Sequence, residues 1–419
     1  MKNKKKRLIF IGFFILFLLF LSFKFRTQEE SLKPNNIKIG DSLGVSIHRD
    51  VTENDMKNIA NAGFKWVRID IFWERVETKK GKYDFEKTGY DQINNWIKKY
   101  DLKPYYILTY SNPLYEKQRS ITTPEGRAAF AKFADATVKH YKNQEGIWEI
   151  WNEPNTETFW NPQPSYENYV KLVKKTAPVI RKEDPHSLIV GPALSGTHRT
   201  SLRWLDKTFS YHLLDYIDAV SVHPYRDDDP ETVAGDYQKI KAMIQDYTYK
   251  RIQLFAGEWG YSMAPKPNRK ISEMKQAEYY TRMMLINRWE NIGLSVWYDW
   301  KNDGYDENEK EHNFGVMWYS GNPKLTYLAA QTLSANLKDY HFVKKYSLKN
   351  SDDYLLEFRN STEKKALVYW TRDSNHNSKI TLKSGKGKVI SMLGAQREVE
   401  WTDGIDLNFS TSPNYLFID

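Results

Sequence analysis

Between residues 37 and 337 the chain alternates short apolar runs with longer amphipathic ones eight times, and no other feature constrains its fold as tightly. The apolar runs fall at 37–47, 64–71, 103–109, 147–151, 187–192, 216–222, 251–256 and 293–298. Strands buried on both faces read as such near-continuous hydrophobic stretches. A helical pattern follows each one, at 52–62, 89–100, 123–142, 165–182, 201–212, 230–249, 272–291 and 322–337. Start and stop residues sit where helices need them. Asp55 follows Thr52 by three residues, Gly63 stops that run, Pro124 follows Thr123, and Ser165 precedes the fourth run. Eight strand–helix units in about 300 residues have the size and order of a (β/α)8 TIM barrel, in the α/β class. The alternative is a doubly wound open sheet. It commonly carries a glycine-rich phosphate loop, and neither G-x-G-x-x-G nor G-x-x-x-x-G-K-[ST] occurs.

Beyond about residue 340 the pattern changes to short alternating strands with no helix between them: YLLEF, KALVYW, KITLK, KVISML, REVEW and YLFI. These predict a small C-terminal all-β, sandwich-like domain. At the other end, LIFIGFFILFLLFLSF (8–23) is uncharged and follows five cations in six residues. A bulky, charged ending, Phe23-Lys24-Phe25-Arg26, offers no small-residue cleavage site. The expectation is an uncleaved transmembrane signal anchor. The N-terminus would stay cytoplasmic and the remainder would face outward from the cell membrane, a single-pass arrangement. The expected layout is therefore basic tip and anchor (1–26), polar stem (27–37), barrel (38–339) and β domain (340–419).

That anchor also explains the charge. The chain carries +9 overall, and residues 1–26 supply seven Lys or Arg and no acid. Little basicity is left for a phosphate-binding face, so no nucleic acid partner is expected. Cysteine is absent, which excludes disulfides, thiolate metal sites and cysteine nucleophiles. The nine His show no metal-ligand spacing, so neither metal nor cofactor is expected. Aromatic residues, at 15%, are in excess. Such rings suit the apolar faces of sugars as well as packing in a core.

Function in a barrel sits at the C-terminal ends of the strands. Strand four ends Trp148-Glu149-Ile150-Trp151-Asn152-Glu153-Pro154, and strand seven ends Ala256-Gly257-Glu258-Trp259. Two carboxylates meeting across a barrel mouth are what cleavage of a glycosidic bond needs. One protonates the leaving oxygen, and the other attacks the anomeric carbon or activates water. W-N-E-P on strand four with a Glu closing strand seven resembles the retaining glycoside hydrolases of clan A. The resemblance is nearest to family 39-like enzymes: xylosidases, iduronidases and exopolysaccharide endoglycosidases. Trp73, Arg75-Val76-Glu77, Gly81 and Tyr83-Asp84-Phe85 match that clan's region after strand two.

The resemblance implies a retaining glycosidase acting on a polysaccharide or oligosaccharide. It implies Glu153 as acid/base, Glu258 as nucleophile and Asn152 as the partner of the sugar 2-hydroxyl. His223 and Tyr225 resemble its substrate- and nucleophile-orienting positions, Arg68 its nucleophile-supporting arginine, and Trp297 its platform under the sugar. Trp73, Trp160, Trp259 and Trp300 are further subsite candidates. Glu149, four residues before Glu153, would share its strand face.

Two other readings compete. Gly40-Asp41-Ser42-Leu43-Gly44 spells the element of GDSL serine esterases, with Asp373 and His376 far downstream. Against it, Ser42 precedes an extended run instead of sitting in a strand–turn–helix elbow. The second is a non-catalytic surface carbohydrate-binding barrel, which would not need both glutamates.

Overall fold

The computed structural model describes residues 37–267 and 270–419. The expected anchor and nearly all of the stem lie outside the described residues. Among the described residues no helix is long and apolar enough to cross a membrane.

Eight parallel strands close in chain order: β1 (Leu43–Ser46), β2 (Trp66–Phe72), β3 (Lys103–Thr109), β4 (Ile147–Ile150), β5 (Leu188–Ser195), β6 (Ala219–His223), β7 (Gln253–Trp259) and β8 (Ser295–Trp297). The seam is β1 on β8, with Leu43 opposite Ser295 and Val45 opposite Trp297. The helices capped by Thr52, Thr123 and Ser165 start as read, whereas the runs expected from 201 and 322 begin at Arg199 and Leu325. Thr52 and Asp55 form a complete capping box, and Thr123, Ser165 and Ser272 each accept a backbone N–H of the first turn.

Strand alternation divides the barrel radially. Inward residues near the floor, among them Tyr105, Ile147, Val190, Phe255 and Val296, form a separate apolar plug. Outward residues such as Val67, Ile69, Val220 and Leu254 join the larger shell packed under the helices. The plug fills the lower barrel, so the polar inward residues gather in the upper half.

Two expectations shift. The first strand was expected over 37–47, but it begins at Leu43, after a 3-10 turn at Gly40–Ser42. The backbone N–H groups of Ile39 and Gly40 are already bound to the carbonyls of Tyr340 and Lys338, so that stretch belongs to the barrel floor. The C-terminal domain holds eight strands where six runs were read. Six form one antiparallel sheet in the order β14 (Gln396–Trp401), β13 (Gly385–Ser391), β16 (Asn414–Ile418), β11 (Lys365–Thr371), β10 (Asp353–Arg359), β9 (His341–Lys345). The remaining two, β12 (His376–Ile380) and β15 (Ile405–Phe409), pair with each other. β9 and β15 are short and half polar, which hid them in the sequence. KITLK straddles the end of β12, because only its first two residues pair. Leu355, Leu367 and Tyr369 on one face of the large sheet meet Leu407 and Phe409 of the small one. Tyr354, Leu356, Val368 and Trp370 on the other face merge with the core of the barrel.

Candidate active site

Arg68 is the hub. On β2, Trp66, Arg68 and Asp70 share the inward face, and the Arg68 side chain is 3% exposed. A guanidinium so deep must be paired to be tolerated. Its Nη2 donates to Glu149 Oε2 at 2.9 Å and to Asn152 Oδ1 at 2.8 Å, and its Nη1 donates to Glu258 Oε2. The planar fork thus ties together three residues from two strands. Burial would lower its pKa, but the charges of Glu149 and Glu258 outweigh that and raise it. Glu149 is fully buried beneath the mouth, and its Oε1 accepts from the Tyr105 hydroxyl at 2.9 Å.

Glu258 reaches the mouth through an irregularity in β7. Three steps from Ala256 to Trp259 run beside two steps of β8, Ser295 to Trp297. Such a bulge re-aims side chains, here turning Glu258 inward and Trp259 outward. Gly257 permits the turn, since a Cβ there would lie 2.1 Å from Ser221 Oγ and 3.2 Å from the Tyr105 hydroxyl. The Tyr225 hydroxyl donates to Glu258 Oε1 at 2.9 Å. Burial favours the neutral acid, but the positive potential of His223 and Arg68, with the Tyr225 bond, prevails and holds Glu258 below the ordinary carboxylate range.

Glu153 leaves β4 through a kink. Trp151 and Glu153 both adopt left-handed backbone, at φ 73° and 47°, which costs a non-glycine residue energy and is found where surroundings impose it. The surroundings are visible: Trp151 N–H binds the Leu108 carbonyl and Glu153 N–H the Ala193 carbonyl. His223 Nδ1 lies 2.8 Å from Glu153 Oε1 and 3.8 Å from Glu258 Oε1, so one fully buried imidazole bridges the two carboxylates. A carboxylate oxygen of Glu153 and one of Glu258 lie within 4.8 Å of each other. Their side chains are 13% and 15% exposed, reachable from the mouth.

Arg68, Asn152, Glu153, His223, Tyr225 and Glu258 are therefore together, and Trp297 is not. Its ring is fully buried against Trp259 and Tyr280, with its N–H on the Phe314 carbonyl. Leu294, just before β8, and Val296 on it belong to the inward plug, so the next inward position is Tyr298, just after the strand. Tyr298 packs edge-on to Phe314 and His48, and Glu258 is among the charges acting on it. The ring at the mouth is thus one residue beyond the expected one, a step the strand's alternation could have disclosed. Trp73, Trp160, Trp259 and Trp300 are likewise packed away. Trp73 donates to Glu77, Trp259 to Ser295 and Trp300 to Asp55, while Trp160 lies against Trp151.

Ser42 is also remote. Its hydroxyl is buried at the floor and donates to the Ile39 carbonyl at 2.8 Å. His376 sits in the β domain, on Asp353. No esterase triad forms from these residues. Among the described residues two groups bring ionisable atoms within ligand-like distance, Glu153–His223–Glu258 and His48–Asp299–Asp303. In the first, Arg68 and Tyr225 already occupy both Glu258 oxygens. In the second, burial would lower His48, but Asp299 and Asp303 push it up to about 9. Two clefts flank the mouth and share Tyr225 as a wall. One, of about 610 Å³, continues to His198, Arg203 and Arg226. The other, of about 220 Å³, continues to Tyr261, Lys310 and Phe314.

Comparison with known proteins fits this geometry. The β-xylosidase of Geobacillus stearothermophilus is 23% identical over 265 residues, 53% of this chain and 52% of its own length. An intracellular exo-α-(1→5)-L-arabinofuranosidase of Halalkalibacterium halodurans is 23% identical over 169 residues, 39% of this chain and 32% of its own. The chain thus spans about half the length, or less, of these curated relatives. A family 39 glycoside hydrolase from the gut symbiont Bacteroides cellulosilyticus WH2 superposes with a TM-score of 0.79 at 24% identity, over 91% of this chain and 82% of that one. A monomeric β-xylosidase from Caulobacter crescentus CB15 does so at 0.67 and 16% identity, over 91% and 97%. At such identities the superpositions establish the shared barrel-plus-β-domain fold. The family model Cellulase (glycosyl hydrolase family 5) matches residues 30–304. The chain belongs to that family of glycoside hydrolases, in clan A, with a family 39-like architecture.

Proposed function

We propose that the protein hydrolyses O-glycosidic bonds with retention of anomeric configuration. Glu153 protonates the departing oxygen while Glu258 attacks the anomeric carbon, giving a glycosyl–Glu258 ester. Glu153, now ionised, takes a proton from water, whose oxygen attacks the same carbon and releases Glu258. The observation that carries this reading is the proximity and unequal environment of the two carboxylates. Retaining pairs stand about 5–5.5 Å apart and inverting pairs about 6.5–9.5 Å, so oxygens within 4.8 Å favour the former. Arg68 and Tyr225 keep Glu258 ionised, as a nucleophile must be, while among the described residues the Glu153 carboxylate meets the His223 ring. Asn152, oriented by Arg68, is the partner we assign to the sugar 2-hydroxyl.

The xylosidase and arabinofuranosidase relatives make pentose-containing glycans the first substrates to try. The apolar run at 8–23 supports a membrane-tethered, outward-facing enzyme acting on a surface or exported glycan; cell fractionation, with the protein recovered in the soluble fraction, would remove that part. The test of the chemistry is incubation with a panel of polysaccharides and aryl glycosides, following the first-formed anomer by NMR. Retained configuration with wild type and no turnover with Glu258→Gln is expected. An inverted product, or an active Glu258→Gln, refutes the mechanism.

A further inference from the structure

The residue that steadies Glu258 stands at one end of a short loop, and the other end of that loop is gripped by the C-terminal domain. The loop runs from His223, the last residue of β6, to the helix Val233–Tyr247. Tyr225, near its start, donates to Glu258. Six residues on, Glu231 is buried and accepts the Arg282 guanidinium on both oxygens, Nε to Oε1 at 2.7 Å and Nη2 to Oε2 at 2.6 Å. Arg282 comes from the helix Glu273–Trp289 and is fully buried. The same Glu231 Oε1 accepts the indole N–H of Trp370, on β11 of the C-terminal sheet, at 2.7 Å. Trp370 is held flat against Tyr354 of β10, with ring centroids 4.9 Å apart.

The span between these ends has little freedom. Arg226 binds the Pro224 carbonyl, Thr232 and Asp236. Asp229 accepts from the Tyr279 hydroxyl at 2.8 Å and faces Arg282 at 3.5 Å, and the Asp228 carbonyl accepts from Tyr261. A separate tie joins the domains on the same helix: Thr411 and Ser412 both donate to Glu278.

We propose that the C-terminal domain sets the placement of the Tyr225 hydroxyl on the nucleophile, with Trp370, Glu231 and Arg282 as positioning residues that act through the β6 loop. This rests on the reading of Glu258 as nucleophile. A buried bidentate pair is rigid, and Trp370 supplies the neutral donor that completes the Glu231 shell. When the indole N–H is removed the loop loosens, the Tyr225 bond lengthens, and Glu258 loses one of the influences holding it ionised.

The experiment uses the full chain and 4-nitrophenyl β-D-xyloside, with hydrogen exchange over 224–232 as a readout that needs no turnover. Trp370→Phe keeps the stacked ring. It should lower kcat by about threefold to tenfold with little change in KM, move the acid limb of the rate profile to higher pH, and speed exchange in the loop. Combined with Tyr225→Phe it should add almost nothing, because both act through one bond. Trp370→His, which restores a ring donor, should recover part of the rate and serves in its place if the Phe variant does not fold. Thr411→Val with Ser412→Ala loosens the same interface away from Glu231 and should leave the acid limb where it was. Full additivity of Trp370→Phe with Tyr225→Phe, unchanged exchange, or an equal limb shift in the Thr411/Ser412 variant overturns the proposal. An active Glu258→Gln instead sinks the underlying mechanism, and that outcome is separate from the others.

Discussion

At the scale of single residues the site is an exercise in keeping like charges close. Glu149, Glu153 and Glu258 crowd one end of the barrel, and Arg68 with His223 makes that tolerable. Because the Glu258 pKa in the folded protein lies below its ordinary value, its contribution to stability is present above that ordinary value and disappears as pH falls through the lowered one. Activity should follow the same limb, since a protonated Glu258 cannot attack. Tyr225→Phe removes a hydrogen bond to a charged group, worth about 1.5–3 kcal/mol, and should shift the acid limb of kcat/KM upward. An unmoved limb would show that Tyr225 does not tune Glu258. Glu153→Ala should suffer most on substrates with poor leaving groups, and added azide should restore turnover as a glycosyl azide of retained configuration, detectable by mass spectrometry and NMR. Several of these residues are legible from alternation alone: position 68 on β2 and 223 on β6 lie in phase with the inward residues below them. Trp297 was misplaced because the resemblance drew attention to the indole, while the phase of β8 pointed to Tyr298.

Elements aim these residues by departing from regularity. A perfect β4 would put Asn152 and Glu153 on opposite faces. The left-handed steps at Trp151 and Glu153 bring both to the mouth. An unbulged β7 would turn Glu258 outward, toward the helices. Gly257 is the point where this can be tested. Gly257→Ala forces a methyl onto Ser221 Oγ, and overpacking of this kind costs about 1–3 kcal/mol. Urea unfolding should show that loss together with reduced turnover, and adding Ser221→Gly should return much of both. If the single variant unfolds at the wild-type urea midpoint, the close approach at Gly257 is not a constraint. The irregularities themselves were not legible. Glycine at 257 hints at one, but nothing local announces left-handed backbone at a tryptophan and a glutamate.

Across the whole molecule, barrel and β domain share one hydrophobic core. Leu356, Phe358, Val368 and Trp370 belong to the same buried cluster as Tyr280, Met283 and Met284 of the helix Glu273–Trp289. Surface of that kind is too apolar to leave exposed. Thermal unfolding should therefore show one cooperative transition for both parts, and a chain ending near residue 339 should lose solubility or expose dye-binding surface. Two well-separated calorimetric transitions would contradict this.

The amino-acid sequence alone determined the barrel, the all-β character of the C-terminal part, the helix caps and the pair of strand-end glutamates. These follow from periodicity, local capping chemistry and short motifs, all of which act over a few residues. The tertiary structure alone decided which aromatic ring reaches the mouth, how Arg68 is shared among its acidic partners, and that a tryptophan of the second domain grips the loop of Tyr225. Those are contacts between residues tens to hundreds of positions apart, set by strand register, bulges and domain packing, and no local pattern encodes them.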